Sequence, residues 1–134
     1  MADVVKISHA ASDISRFLKS KSVSTAVDGG NRVTVLSVPR KTFVSDLFFE
    51  VQTALTAGST GSVSVGLIHD TTDDVNYFMG SAEVVPEVVG FKAVPEGSRG
   101  FYFEKGGTIT ISLDKGNSAA DFIGRIFVDS SVIY

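Results

Sequence analysis

A chain of 134 residues is the size of one domain and is long enough to bury its own hydrophobic core. It contains no cysteine, which excludes a disulfide scaffold, a thiolate zinc site and a cysteine nucleophile. The net charge of −3 is unevenly spread: residues 1–41 carry seven Lys/Arg against three Asp, whereas residues 42–134 carry five against twelve acids. The acidic body repels phosphate, so we expect no nucleic-acid partner.

No apolar run approaches the roughly 18–20 residues of a membrane-spanning helix, and the N-terminus has no apolar stretch of signal-peptide length. We therefore expect no membrane partner and a cytosolic origin, which is compatible with later incorporation into a particle.

Residues 1–22 have weak periodicity and many small and basic residues. They predict an N-terminal arm attached to a folded domain at 23–134, with a helical turn near Ile14–Lys19 that Ser12 or Asp13 could cap. A frayed terminus is the alternative. If the arm docks on a partner, its apolar and basic side chains are the expected contacts: Val4, Val5, Ile7, Ile14, Arg16, Phe17, Leu18, Lys19 and Lys21. We expect the fold to survive removal of residues 1–20, with weaker assembly.

The first strands are separated by turn residues. Val23–Val27 and Arg32–Val38 flank two glycines and predict a tight hairpin. Phe43–Thr56 alternates most clearly: its odd positions are predicted to pack, and its even positions carry mostly polar residues. Val44 and Phe48 are apolar exceptions among the even positions. We interpret the face that they share as either a second layer of a sandwich or a subunit contact.

Further strands follow to the end of the sequence. They are predicted at Ser62–Ile68, Tyr77–Met79, Phe101–Glu104, Thr108–Leu113 and Phe122–Tyr134, with Val84–Val94 along an edge or over an open end. Seven to nine strands without a convincing long helix predict an all-β fold. It is expected to be an antiparallel β-sandwich or jelly roll.

Residues 69–74, HDTTDD, form the one cluster with chemical potential. Asp70, Asp73 and Asp74 are candidate calcium ligands, and His69 beside an acid could transfer protons. The cluster lacks the glycine of a calcium loop, so a solvated acidic turn is the simpler interpretation. No nucleophile elbow or P-loop occurs. We expect no catalytic residue, no cofactor and no metal ion, and therefore no enzyme.

Ten phenylalanines and three tyrosines could form a sugar-binding platform. Such platforms favour Trp and Tyr, and Trp is absent, so core packing accounts better for most of these rings. A carbohydrate-binding module on a host-recognition appendage or tail component remains the alternative function. It predicts an exposed aromatic row that includes Tyr77 and Tyr102.

The order of elements resembles that of small β-sandwich structural proteins of tailed bacteriophages, in particular capsid decoration and head-fibre-like proteins. The likeness rests on Val38-Pro39 followed by FVSDLFFEVQTALT, GSVSVGLIH, GFYF, GTITISL and the closing FIGRIFVDSSVIY. It implies a non-enzymatic virion protein, made in the host cytoplasm, that decorates or stabilises the capsid. The implied partners are the major capsid protein or other virion proteins, with a homo-oligomer, such as a trimer, as the implied assembly.

Overall fold

The computed structural model describes residues 14–28, 32–80, 84–93 and 100–133. These residues form nine strands and one helical turn. The strands are β1 (Ile14–Ser24), β2 (Arg32–Val38), β3 (Thr42–Thr53), β4 (Ser62–His69), β5 (Thr72–Met79), β6 (Gly90–Ala93), β7 (Phe101–Phe103), β8 (Gly107–Asp114) and β9 (Ile123–Ile133); the turn is α1 (Thr25–Asp28).

The strands form two antiparallel sheets. The five-stranded sheet has the order β1-β9-β3, and both β6 and β7 pair with the far side of β3. The four-stranded sheet has the order β2-β8-β4-β5. The predicted all-β sandwich is confirmed, with a strand number at the upper end of the expected range.

The core lies between the sheets, and both contribute fully buried apolar side chains. The largest of these are Phe49, Phe78, Phe103, Phe122, Leu47, Leu67, Met79, Ile109, Ile111, Leu113, Ile126 and Val44. Phe49 and Phe122 stack with ring centroids 5.8 Å apart. Gly124 of β9 allows this stack, because a Cβ there would lie only 2.7 Å from Phe49 Cζ and 2.8 Å from Phe122 Cζ. Burial of each large side chain contributes about 1.5–3 kcal/mol to stability.

A β-bulge in β3 corrects the predicted facing of this strand. The register with β9 shifts between Val44 and Asp46, and a bulge inserts one residue that reverses the faces beyond it. Before the bulge the even residues Thr42 and Val44 are buried, while Phe43 is 39% exposed; after it the odd residues Leu47, Phe49 and Val51 are buried. Thr53, beyond a second register shift, is exposed. The odd-face prediction is therefore wrong for Phe43 and Thr53, and Val44 is a core residue.

The region around β1 differs from prediction in two ways. The helical turn expected near Ile14–Lys19 is wrong, because these residues pair with β9 as part of β1. The hairpin expected from Val23–Val27 and Arg32–Val38 is also wrong: β1 ends at Ser24, a helical turn follows, and β2 lies in the other sheet. The predicted boundary between residues 22 and 23 falls inside β1.

Removing residues 1–20 is now expected to destabilise the protein, contrary to the sequence-based expectation. The truncation deletes seven of the 11 residues of β1 and their pairing with β9. Each lost backbone hydrogen bond contributes about 0.5–1.5 kcal/mol net, so we expect a loss of at least about 1 kcal/mol in urea unfolding. Removal of residues 1–13 keeps every described strand pair and serves as the control. Equal stability of the two truncations would contradict the β1–β9 pairing.

Candidate interaction surface

The predicted partner contacts divide into residues outside the described part of the chain and residues of β1. Val4, Val5 and Ile7 lie outside the described residues, and the backbones of Ile14 and Arg16 lie in β1. The side chains of Phe17, Leu18, Lys19 and Lys21 are exposed along β1. Four of the predicted contact residues therefore have exposed side chains on one edge strand of the five-stranded sheet.

The acidic cluster at residues 69–74 spans the turn between β4 and β5, with Asp70 in the turn and Asp73 and Asp74 in β5. Asp70 pairs with Lys105 at 3.4 Å, Asp73 pairs with Arg32, and Asp74 accepts a hydrogen bond from the Asn76 N–H at 3.1 Å. Among the described residues, no group of three or more His, Asp or Glu side chains could hold a metal ion. The arrangement is that of an acidic turn whose carboxylates are satisfied within the fold.

The contacts of the His69 side chain are with residues of β7 and with Lys105, which follows β7. Its Nε2 accepts a hydrogen bond from the Lys105 N–H at 3.2 Å, and its ring meets Phe101 and Phe103 edge-on, with centroids 5.3 and 5.7 Å apart. The imidazole is therefore part of the aromatic packing that joins the end of β4 to β7.

The main feature of the surface is an aromatic patch on the outer face of the five-stranded sheet, formed by Phe48, Phe91 and Phe127, of which sequence reasoning singled out only Phe48. Phe48 lies directly opposite Phe127 in the β3–β9 ladder, and the rings of Phe91 and Phe127 have centroids 6.0 Å apart. Phe91 is 65% exposed and Phe48 37%. Three adjoining aromatic side chains on the outside of a sheet are more typical of a protein–protein contact than of a surface that stays in water.

Polar residues border the aromatic patch and hold the adjoining strands. Glu50 lies opposite Phe91 on one side and Arg125 on the other. The Arg125 guanidinium donates hydrogen bonds of 2.8 Å to the hydroxyls of Ser20 and Ser22 in β1. A polar border around an aromatic centre is the usual anatomy of a protein–protein interface.

A second aromatic pair lies nearer the end of the same face. Phe43 and Tyr102 are directly opposite each other in the β3–β7 ladder, and both are about two-fifths exposed. The bulge in β3 turns Phe43 to this face, so this strand presents one aromatic side chain outward near its N-terminal end and another, Phe48, near its middle.

The outer face of the four-stranded sheet is chemically different. Val63, Val65 and Leu67 point into the core, so the alternate residues point outward. Outward positions of β2, β4 and β8 carry small hydroxyl residues, namely Thr34, Ser62, Ser64, Thr108, Thr110 and Ser112. Thr110 is nevertheless buried, and its hydroxyl accepts a hydrogen bond of 2.9 Å from Arg32 Nε. The two faces of the sandwich therefore carry different side chains, aromatic on one and small hydroxyl residues on the other.

The two tyrosines suggested for an exposed Tyr/Phe row lie in different sheets. Tyr77 belongs to β5 in the four-stranded sheet; its hydroxyl donates to the Gly100 carbonyl at 2.9 Å, and its ring meets Phe78 and Phe101 edge-on. Tyr102 lies on the outer face of the other sheet. The two side chains therefore do not share one row, and sugar binding itself stays a prediction.

No helix among the described residues is long and apolar enough to cross a membrane.

Comparison of the fold with solved structures finds chains of phage capsids. One belongs to the acidic stable capsid structure of Helicobacter pylori bacteriophage KHP30, with a TM-score of 0.67, 17% identity, and coverage of 89% of this chain and 94% of that chain. Another belongs to the cyanophage Pam1 capsid asymmetric unit, with a TM-score of 0.64, 16% identity, and coverage of 90% and 86%. No protein-family model and no curated protein matches the sequence.

At these identities the likeness establishes the fold. The resemblance to β-sandwich proteins of phage particles is confirmed at that level, because both matching chains come from phage capsid structures and are matched over most of their own length.

Proposed function

We propose that this protein is a non-enzymatic structural component of a phage virion that decorates or stabilises the assembled capsid. The observation that carries the proposal is the fold shared, over 89% and 90% of this chain, with chains of two phage capsid structures. The match also covers 94% and 86% of those chains, so the shared fold spans most of each protein.

The aromatic patch is the proposed contact with the shell. Phe48, Phe91 and Phe127 form an apolar centre with Glu50 and Arg125 at its border. Aromatic side chains at the centre of an interface contribute much of its binding free energy, because their burial removes a large area from water. The shell protein is the proposed occupant of this face.

The proposal also includes a second contact with the virion and an oligomeric state. The sequence-based prediction that residues 1–22 contact a neighbouring virion protein is retained for residues 1–13 and the exposed side chains of β1. A homo-oligomer, such as a trimer, is proposed as the assembled form, and light scattering of the purified protein measures it directly.

Co-sedimentation with undecorated shells tests the shell contact. We expect the wild-type protein to bind, and Phe91→Glu to weaken binding by about tenfold or more, equivalent to about 1.4 kcal/mol, because a carboxylate would be desolvated at the centre of the patch. Val75→Glu is the matched control, since Val75 is 47% exposed but lies on the other sheet. Absence of wild-type binding at every salt concentration would refute the decoration role; equal weakening by both variants would refute the assigned face.

A further inference from the structure

Strand β1 forms one edge of the five-stranded sheet. It pairs with β9 on one side, and no described residue pairs with its other side. At 11 residues it is about twice the usual strand length. The N–H and C=O groups along such an edge can bind another extended chain as an additional strand.

Two lysines restrict which chain can pair there. Lys19 and Lys21 lie opposite Val128 and Ile126 in the β1–β9 ladder, so both project from the core side of the sheet, and both are exposed. Charged residues pointing inward from an edge strand oppose pairing with a neutral strand. A second copy of β1 would bring further lysines close to these two, and like charges on neighbouring strands repel. The edge is therefore protected against pairing with itself.

The same lysines favour an acidic partner. The sequence of β1, ISRFLKSKSVS, contains three basic residues and no acidic residue. A strand with a carboxylate at every second position would place its charges on the same face as Lys19 and Lys21. Leu18, which is 73% exposed, projects from the opposite face and would meet apolar side chains at the intervening positions of that strand.

We propose that β1 accepts an extended acidic segment of a neighbouring protein as a sixth strand of this sheet. Recognition combines backbone hydrogen bonds along the edge with carboxylates of the added strand facing Lys19 and Lys21. This contact is distinct from the aromatic patch, which lies on the outer face of the sheet and not along its edge.

Fluorescence anisotropy of labelled octapeptides with the full chain tests the proposal. The probes are a peptide of alternating Val and Glu and a peptide of alternating Val and Lys. We expect the glutamate peptide to bind about tenfold or more tightly than the lysine peptide. The double variant Lys19→Glu/Lys21→Glu should reverse that preference. Arg40→Glu/Lys92→Glu removes the same charge away from β1 and should retain the wild-type preference.

Amide hydrogen exchange locates the bound peptide. We expect the glutamate peptide to slow exchange within Ile14–Ser24, at amides that do not face β9. No binding of the glutamate peptide, an equal loss in both double variants, or protection confined to other strands would each overturn the proposal. The experiment uses no capsid shells, so its failure is distinguishable from a failure of shell binding by the aromatic patch.

Discussion

Replacement of Phe49 with alanine is expected to lower the free energy of unfolding by about 3–5 kcal/mol, the usual cost of truncating a buried phenylalanine. The Phe49 ring is fully buried, stacks on Phe122 at 5.8 Å and lies against the bare backbone of Gly124. A protein of this size has a total stability of about 5–15 kcal/mol, so the variant should unfold at a markedly lower urea concentration.

Phe48→Ala is the matched control for Phe49→Ala. Phe48 precedes Phe49 on the same strand, but it projects outward and is 37% exposed. We expect this variant to lose less than about 1.5 kcal/mol, because less area returns to water and no closed cavity forms. Similar losses in the two variants would contradict the assignment of inner and outer faces in β3.

The second large effect is expected for Gly66→Ala. A Cβ at Gly66 would overlap the Asp74 carbonyl and approach the carbonyl carbon and oxygen of Val75 at 2.5 and 2.6 Å. These are backbone atoms of β5, which has an irregular register against β4 between Val65 and Leu67 and cannot rotate aside as a side chain would. Overpacking of this kind costs about 1–3 kcal/mol or more, and we expect a loss at the upper end of that range.

Ser64→Ala controls for the Gly66 substitution. Ser64 lies two residues earlier on the same face of β4 and already carries a Cβ, so its replacement should change the stability by less than about 1 kcal/mol. Thermal unfolding followed by circular dichroism compares the two variants. If Gly66→Ala melts within a degree of wild type, β5 does not cross Gly66 as described.

The strand pattern was predictable because period-two alternation and turn residues are local properties of the sequence. Alternation located β3 to within three residues at its C-terminal end, at Thr53 against the predicted Thr56. It could not locate the bulge, whose signature is a shift in register against β9. The Ser45 hydroxyl donates to the Asp129 carbonyl at 3.1 Å near this shift, a contact between residues distant in sequence. The face of Phe43 therefore depends on tertiary pairing.

Strand β1 was missed for a different reason. An edge strand with exposed side chains on both faces does not need alternating hydrophobicity, so the sequence of Phe17–Ser22 shows no strand pattern. Its pairing partner, β9, lies at the other end of the sequence. Only Val23 of this strand is buried in the core among the side chains that are described, and one apolar position carries no periodicity.

The aromatic patch was partly visible in the sequence. Phe48 stands among polar residues on the even face of β3, and that mixture led to the interpretation of the face as a second layer or a subunit contact. Phe91 gave no such signal, since its place beside Phe127 depends on β6 pairing with β3. Core packing correctly accounted for Phe78, Phe103 and Phe122.

The pairing of Ile14 with Ile133 in the β1–β9 ladder brings the first and last described residues to one corner of the sandwich. Polypeptides joined directly to Ile14 and to Ile133 would therefore start from neighbouring points. This proximity also suits circular permutation of the described domain: a short linker could join Ile133 to Ile14, and new ends could open at the β4–β5 turn. The strand pairs that hold the two sheets would then be kept while the point of attachment moved to another part of the molecule.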